Sequence, residues 1–277
     1  MTSSVPAALP SSLVLVGAGK MGGAMLEGWL SVGLDPAAVA VVDPAPSPEI
    51  EALAQGRGLR LNPPPETIAP PAAVVLAVKP QTLDAAAPAL ARLVGPATLL
   101  VSIVAGKTIA NLRARIPGAR AIVRAMPNLP ASVRRGATGA AASPEVGDVQ
   151  RAMAHALLAA VGTVEWLDGE DLIDAVTALS GSGPAYVFHL VECLAEAGAA
   201  AGLPPELAAR LARAMVIGAG ELLAQSALPA SQLRENVTSP GGTTAAAIEV
   251  LMGADGLEPL MRKAVAAAKR RAQELAG

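Results

Sequence analysis

Apolar positions in the first half of the chain fall in short continuous runs separated by stretches of helical period. The runs are LVLV (13–16), VAVV (39–42), AVVLAV (73–78), TLLVSI (98–103), AIVRA (121–125) and TVEWL (163–167). A strand with one wet face alternates apolar and polar positions, whereas a run that is apolar at every position is buried on both faces. The pattern predicts an α/β fold with a doubly wound, mainly parallel sheet covered by helices on both sides. Beyond Asp168 the strand signal stops. Helices are predicted at 169–179, 184–201, 205–226, 230–237, 244–253 and 257–275, broken by the Gly and Pro positions at 181–184, 202–205, 229 and 240–242. The expected organisation is an α/β domain over 1–167 and an all-helical domain over 168–277, without a long linker.

Composition narrows this picture. The 277 residues are 52% apolar and 16% charged, enough for one large or two ordinary cores. With aromatics only at Trp29, Trp166, Tyr186 and Phe188, the core must be built from Ala, Leu and Val, which allows close helix contact. A net charge of −2 and no basic stretch interleaved with aromatics predict no nucleic-acid partner. The apolar runs are too short to span a bilayer, so no membrane association is expected. The opening MTSSVPAALPSS has no basic leader and reads as a loose tail, and a soluble, cytoplasmic protein is expected. A lone Cys193 and two distant histidines, His155 and His189, predict neither a disulfide nor a metal site.

Two places carry candidate chemistry. The first strand runs into GAGKMG, so Gly17, Gly19 and Gly22 stand in the G-x-G-x-x-G spacing between a strand and a helix, with Ala18, Lys20 and Met21 between them. There the glycines permit a tight turn, close backbone approach to a pyrophosphate, and helix–strand packing. The second strand ends in Asp43, about twenty positions on, where a carboxylate can accept from a ribose 2′-hydroxyl and favour NAD over NADP. Ser47 and Arg57 nearby leave a 2′-phosphate open. At two further strand ends, AVKP (77–80) offers a Lys for phosphate or ribose oxygens, and SIVAG (102–106) offers small residues to a flat nicotinamide. The second place is SPGGTT (239–244), just ahead of the apolar AAAIEVLM. Such a junction is either ordinary capping or a helix N-terminus whose free amides and dipole attract an anion.

ALSGSGPAY (178–186) forms another glycine and hydroxyl junction, and RAMPN (124–128) follows the strand at 121–125. Together with GAGKMG, AVKP, EDLIDAVTALSGSGPAY and ENVTSPGGTT, in that order over nearly the whole chain, they resemble the pyrroline-5-carboxylate reductase family. The resemblance implies a Rossmann domain followed by a helical dimerisation domain, and a homodimer or a larger homo-oligomer built from dimers. It also implies NADPH-dependent reduction of a cyclic imine carboxylate, the last step of proline biosynthesis, with NADH favoured instead if Asp43 binds the ribose 2′-hydroxyl. Position by position, Gly17, Gly19, Gly22 and Ala77, Val78, Lys79 and Pro80 would touch the cofactor, with Val104 and Ala105 beside the nicotinamide and Asn236 approaching from the helical side. Glu170, Thr243 and Thr244 would border the substrate, Ser239 with the amides of Gly241 and Gly242 would surround its carboxylate, and Thr244 would hydrogen-bond the ring nitrogen. Leu129 stands where the family often has Thr, and NPPPE (62–66) has Pro where other members have Asn.

Imine reduction demands little of the side chains. The imine can arrive protonated, so a hydroxyl that orients the ring and an anion site for the carboxylate suffice, and SPGGTT then reads as the cradle. Oxidation of a hydroxyacid, the competing reading, needs a His or Lys base. No Lys occurs between Lys107 and Lys263, and His189 lies within the apolar YVFHLVECL. A non-catalytic dinucleotide-binding protein is the third reading; it would need the glycine loop but not both hydroxyl-rich junctions. Glu170 also has a structural reading, as an acidic first-turn residue favoured by the helix dipole.

Overall fold

The structure is a computed structural model that describes residues 9–276; the first eight residues of the expected loose tail lie outside the described residues. The first unit runs β1 (Leu13–Val16), α1 (Lys20–Ser31), β2 (Val39–Val42), α2 (Pro48–Arg57), β3 (Arg60–Leu61), β4 (Ala73–Leu76), α3 (Leu83–Leu93), β5 (Leu99–Ser102), α4 (Ile109–Arg115), β6 (Ala121–Met126), β7 (Gly136–Ala142), α5 (Asp148–Ala159) and β8 (Gly162–Trp166). A short turn at Glu170–Leu172, α6 (Ile173–Val176) and a wide helical turn at Thr177–Gly181 complete it. The helical unit follows with α7 (Gly183–Ala200), α8 (Pro205–Gln225), α9 (Ala230–Asn236), α10 (Thr243–Leu251) and α11 (Leu257–Ala276), whose end from Lys269 groups with the first unit.

The eight strands form one sheet in the order β3-β2-β1-β4-β5-β6-β7-β8, parallel except where β7 runs antiparallel to β6. Successive residues of the central strands enter opposite cores, as the continuous apolar runs require. Leu13, Leu15, Val39, Val41, Val75, Leu99 and Val101 join the layer that holds α1, α2 and α5. Val14, Val16, Val74, Leu76, Leu100 and Ile122 join the layer that holds α3 and α4. Trp29 of α1 is fully buried and its indole N–H donates to the Leu157 carbonyl of α5 at 2.7 Å, so the large ring leaves no polar atom unmet.

Two strands lie outside the predicted set. β3 is two residues long, and β7 reads GATGAAA, with neither a β-branched apolar run nor an alternation. Its small residues have a steric cause: a Cβ on Gly139 would stand 2.8 Å from the Val176 methyls, so a bare strand surface is what lets α6 lie on it.

By packing, the chain divides into compact units after Gly181, downstream of the point near residue 167 where the strand signal is lost. Segment 170–181 is helical, as predicted, but it belongs to the sheet. Glu170 and Asp174 pair with Arg124 of β6, Val176 covers β7, and Asn128 donates to the Ser180 carbonyl at 3.0 Å. Within the helical unit α7 and α8 run close together, since a Cβ on Gly198 would lie only 3.2 Å from that of Ala208. Much of the apolar surface of these two helices is exposed, including Phe188, Leu211, Met215, Ile217 and Leu222.

Candidate active site

Parallel strands end together, so the turns after β1, β2, β4 and β5 share one edge of the sheet, where open α/β folds take their ligands. At Gly17 the chain adopts φ +90°, and its N–H donates to the Val42 carbonyl at 2.9 Å. A Cβ at Gly17 would stand 2.7 Å from the Ala77 carbonyl oxygen, and one at Gly22 would stand 2.2 Å from the Gly17 carbonyl oxygen. At Gly19 a Cβ would meet nothing within 4 Å, which leaves the backbone face clear for a ligand. Gly19 is also the N-cap of α1 and has no side-chain cap. The first amide satisfied inside the helix is that of Gly23, which donates to the Gly19 carbonyl at 2.7 Å, so the amides of the first turn are directed outward. Tight glycines on the inside and an open one on the outside are the features a pyrophosphate requires. The residues present fit a dinucleotide.

Asp43 closes one side of this loop. Its Oδ2 accepts the Ala18 N–H at 2.6 Å and its Oδ1 accepts that of Ala45 at 2.9 Å. Asn62, held at φ +46°, accepts from the Asp43 N–H and donates to its carbonyl, fixing the end of β2. Beside Asp43 lies a groove of about 460 Å³ bounded by Gly19, Lys20, Glu27, Ser47 and Glu49. The Ser47 hydroxyl caps α2 by accepting from Ile50, and its proximity together with the Glu49 N–H holds the Glu49 carboxylate below the usual carboxylate range. Arg57 is in the last turn of α2, away from the end that borders the groove. A second groove, of about 490 Å³, lies on the other side of Lys20 and Met21 and is walled by Asn128, Leu129, Ser132 and Gly181.

The remaining expected cofactor residues follow along the edge. Ala77 donates to the Val16 carbonyl at 2.8 Å, holding its turn against β1, and Val78 follows half-buried. Lys79 is exposed, ahead of the short turn Pro80–Thr82. Val104 is buried and Ala105 exposed in a tight turn, 104–107, closed by a Lys107 N–H to Val104 carbonyl bond of 3.4 Å with Gly106 at φ +68°.

RAMPN proves to be a clasp. Arg124 is buried in β6 and its Nη1 donates to Glu170 Oε1 at 2.9 Å. The Met126 methyl lies where a Cβ on Gly181 would be 3.0 Å away, and Asn128 accepts from Ala137 while donating to Ser180. Arg124 and Asn62 were not among the expected site residues. A charged residue inside the buried run AIVRA was a readable signal of a paired charge; the pairing of Asn62 with Asp43 had no counterpart in the sequence pattern.

In the helical unit, Ser239 to Gly242 form a type II turn: the Gly242 N–H donates to the Ser239 carbonyl at 3.0 Å, with Pro240 first and Gly241 second at φ +70°. Gly242 is the N-cap of α10 and no side chain caps the helix, so the bland capping reading fails here. Thr243 and Thr244 begin the helix, and the Thr244 hydroxyl has no hydrogen-bond partner among the described residues. Asn236, exposed at the end of α9, accepts from Gln232 at 3.1 Å. Both histidines are engaged elsewhere: His189 Nδ1 lies 2.9 Å from Glu192, and His155 accepts from the Trp166 indole at 3.4 Å. The described residues contain no group of three or more His, Cys, Asp or Glu side chains suited to a metal ion, and no helix long and apolar enough to cross a membrane.

Comparison with known proteins matches two family models along the chain. A family model described as pyrroline-5-carboxylate reductase dimerisation matches residues 170–275, and one described as NADP oxidoreductase, coenzyme F420-dependent, matches 12–106. The chain is similar to the pyrroline-5-carboxylate reductase of Pseudomonas aeruginosa, 40% identical over 95% of this chain and 96% of that protein. With the enzyme of Synechocystis it shares 46% identity over 73% of this chain and 74% of that one. Among solved structures it is similar to a pyrroline-5-carboxylate reductase from Coxiella burnetii, with TM-score 0.88 and 36% identity, covering 96% of this chain and 98% of the other. A Plasmodium falciparum pyrroline carboxylate reductase with NADP bound gives TM-score 0.76 at 27% identity, covering 96% and 98%.

Proposed function

The chain belongs to the pyrroline-5-carboxylate reductase family, and from that premise we propose that it reduces 1-pyrroline-5-carboxylate to proline at the expense of a reduced nicotinamide dinucleotide. The observation that carries the reading is the start of α10. An uncapped N-terminus behind a Pro-Gly turn offers amides and a dipole to one carboxylate, with an unengaged hydroxyl at Thr244 beside them. That is what a cyclic imine acid needs from a protein. The nicotinamide, when bound, supplies the hydride. The chain's residues do the rest: α1 receives the pyrophosphate, Gly242, Thr243 and the turn amides bind the substrate carboxylate with Ser239 beside them, and Thr244 orients the ring nitrogen. Asn236, exposed at the end of α9, is assigned to the cofactor as well. Both histidines have other partners and no Lys lies between Lys107 and Lys263, which disfavours a hydroxyacid dehydrogenase. The exposed apolar side chains of α7 and α8, in a region matched by a dimerisation family model, support a homo-oligomer with a dimer as its unit.

Of the two cofactors we favour NADH. Among the described residues Asp43, Glu27 and Glu49 border the groove beside the loop, Lys20 is the one cation there, and the Ser47 hydroxyl serves as the cap of α2. A 2′-phosphate would enter a field of like charge, whereas a 2′-hydroxyl can donate to Asp43. Titration of nicotinamide fluorescence is expected to give NADH at least about tenfold tighter binding than NADPH. Asp43→Ser is expected to shift the ratio toward NADPH; an unchanged ratio would mean that Asp43 serves only to hold the Ala18 amide. The proposal as a whole is tested by following oxidation of NADH and NADPH with pyrroline-5-carboxylate. Turnover supports it, and folded protein that oxidises neither cofactor overturns it.

A further inference from the structure

The first unit contains a buried ionic junction. Arg124 emerges from the middle of an apolar strand, and as a guanidinium it keeps its charge wherever it is placed. A buried charge must be paired, and here it meets Glu170 Oε1 at 2.9 Å and Asp174 Oδ1 at 3.8 Å. The same Glu170 oxygen accepts the N–H of Ile109 at 2.8 Å. Ile109 is the first residue of α4, directly after the N-cap Thr108, so a single carboxylate oxygen joins β6, segment 170–174 and the start of α4.

What that junction holds is the turn 104–107. Upstream the turn is fixed by β5, where the Ile103 N–H donates to the Leu76 carbonyl at 3.0 Å and Val104 donates to the buried Ser102 hydroxyl at 3.3 Å. Downstream it passes through Thr108 to Ile109, where Glu170 takes the next amide. Between these anchors the turn is closed by one long bond of 3.4 Å and depends on Gly106 at a positive φ. Exposed Ala105 is at its tip. A four-residue turn with one weak internal bond takes its position from its two ends; the Thr108–Asn111 capping box ties the downstream end to α4, and Glu170 ties the start of α4 to β6.

We propose that Glu170, backed by Arg124, is a positioning residue for the cofactor: it sets the turn 104–107 at the edge where the nicotinamide would lie, and it does not contact the imine. This rests on the reading of that edge as the cofactor site. Its carboxylate oxygen already serves an amide and a guanidinium, which gives it a task without substrate.

The test compares Glu170→Ala and Glu170→Gln with the wild-type protein. It measures cofactor Kd by nicotinamide fluorescence, imine KM and kcat at saturating cofactor, and the thermal midpoint. Glu170→Ala removes both interactions and is expected to weaken cofactor binding by about tenfold, with imine KM within about twofold of wild type. Glu170→Gln keeps an acceptor for the Ile109 N–H at the same volume and is expected to recover about half of that loss on a logarithmic scale. Asp174→Asn, at the longer contact, is expected to change Kd by less than about twofold. A raised imine KM with unchanged cofactor Kd would overturn the proposal in favour of a substrate contact. Cofactor binding unchanged in a folded Glu170→Ala protein would overturn it outright. If Glu170→Ala does not fold, Glu170→Gln decides by the same split. Because cofactor binding is read without the imine, absence of imine turnover in wild type would remove the reductase reading and leave this result standing.

Discussion

Gly22→Ala is expected to abolish measurable cofactor binding, a loss of at least about 100-fold, since displacement of a binding group by about 1 Å carries that order of effect. The new Cβ would be placed 2.2 Å from the Gly17 carbonyl oxygen and 3.2 Å from the Ala77 Cβ. Neither neighbour can yield. Gly17 is held by its bond to Val42, the next amide is held by Asp43, and Ala77 is held by Val16. The helix must therefore lift, and the amides of its first turn leave the loop they face. Overpacking of this kind also lowers stability by about 1–3 kcal/mol, so binding has to be measured on protein shown to be folded. Gly19→Ala separates the two effects: its Cβ meets nothing within 4 Å, and Gly19 has φ −66°, which alanine adopts freely. That variant should melt with wild-type protein and still bind cofactor poorly, because the added methyl occupies the approach of the pyrophosphate. Normal cofactor affinity in Gly22→Ala would mean that the loop binds no phosphate and that its glycines serve packing alone.

The same residues show how far a sequence carries. The layers were legible because their cause is local: an apolar residue at every strand position means two buried faces, and Leu13 to Val16 do divide between the two cores. β7 was not legible because its composition answers to a partner, the Val176 side chain above Gly139, and nothing within GATGAAA announces that partner. Segment 170–181 was legible as helix but not as part of the sheet domain, since its membership rests on Arg124 and Asn128, more than forty positions away in the chain. Charge in an apolar strand was the available clue. For the candidate site, the glycine spacing specified the turn, and the structure supplies the steric reason for Gly17 and Gly22 and leaves open space at Gly19. Asp43 could be located from its spacing past the loop, yet its bonds to Ala18 and Ala45, and the company of Glu27 and Glu49, depend on how α1 and α2 approach one another.

At the start of α10, function and stability can be separated by a single atom. Thr244→Ala is expected to lower kcat by roughly 10²-fold, the order seen when one donor aimed at a reacting centre is removed. Folding should be untouched. Thr244 is the second residue of the helix, it is half-exposed, and its hydroxyl serves no partner among the described residues. Alanine is moreover the better helix former, by a few tenths of a kcal/mol, so the thermal midpoint should hold or rise slightly. Thr244→Val keeps the branched shape without the hydroxyl and should lose as much activity as alanine, whereas Thr244→Ser should retain most of it. The substrate carboxylate would still find the amides behind Gly242, so imine KM should change much less than kcat. This division distinguishes a hydroxyl that orients the ring in the transition state from one that only helps to bind it, for which KM would rise with kcat preserved. Wild-type kinetics in both Thr244→Ala and Thr244→Val would take Thr244 out of the mechanism, leaving the α10 N-terminus as a carboxylate site whose ring-orienting group has to be sought elsewhere.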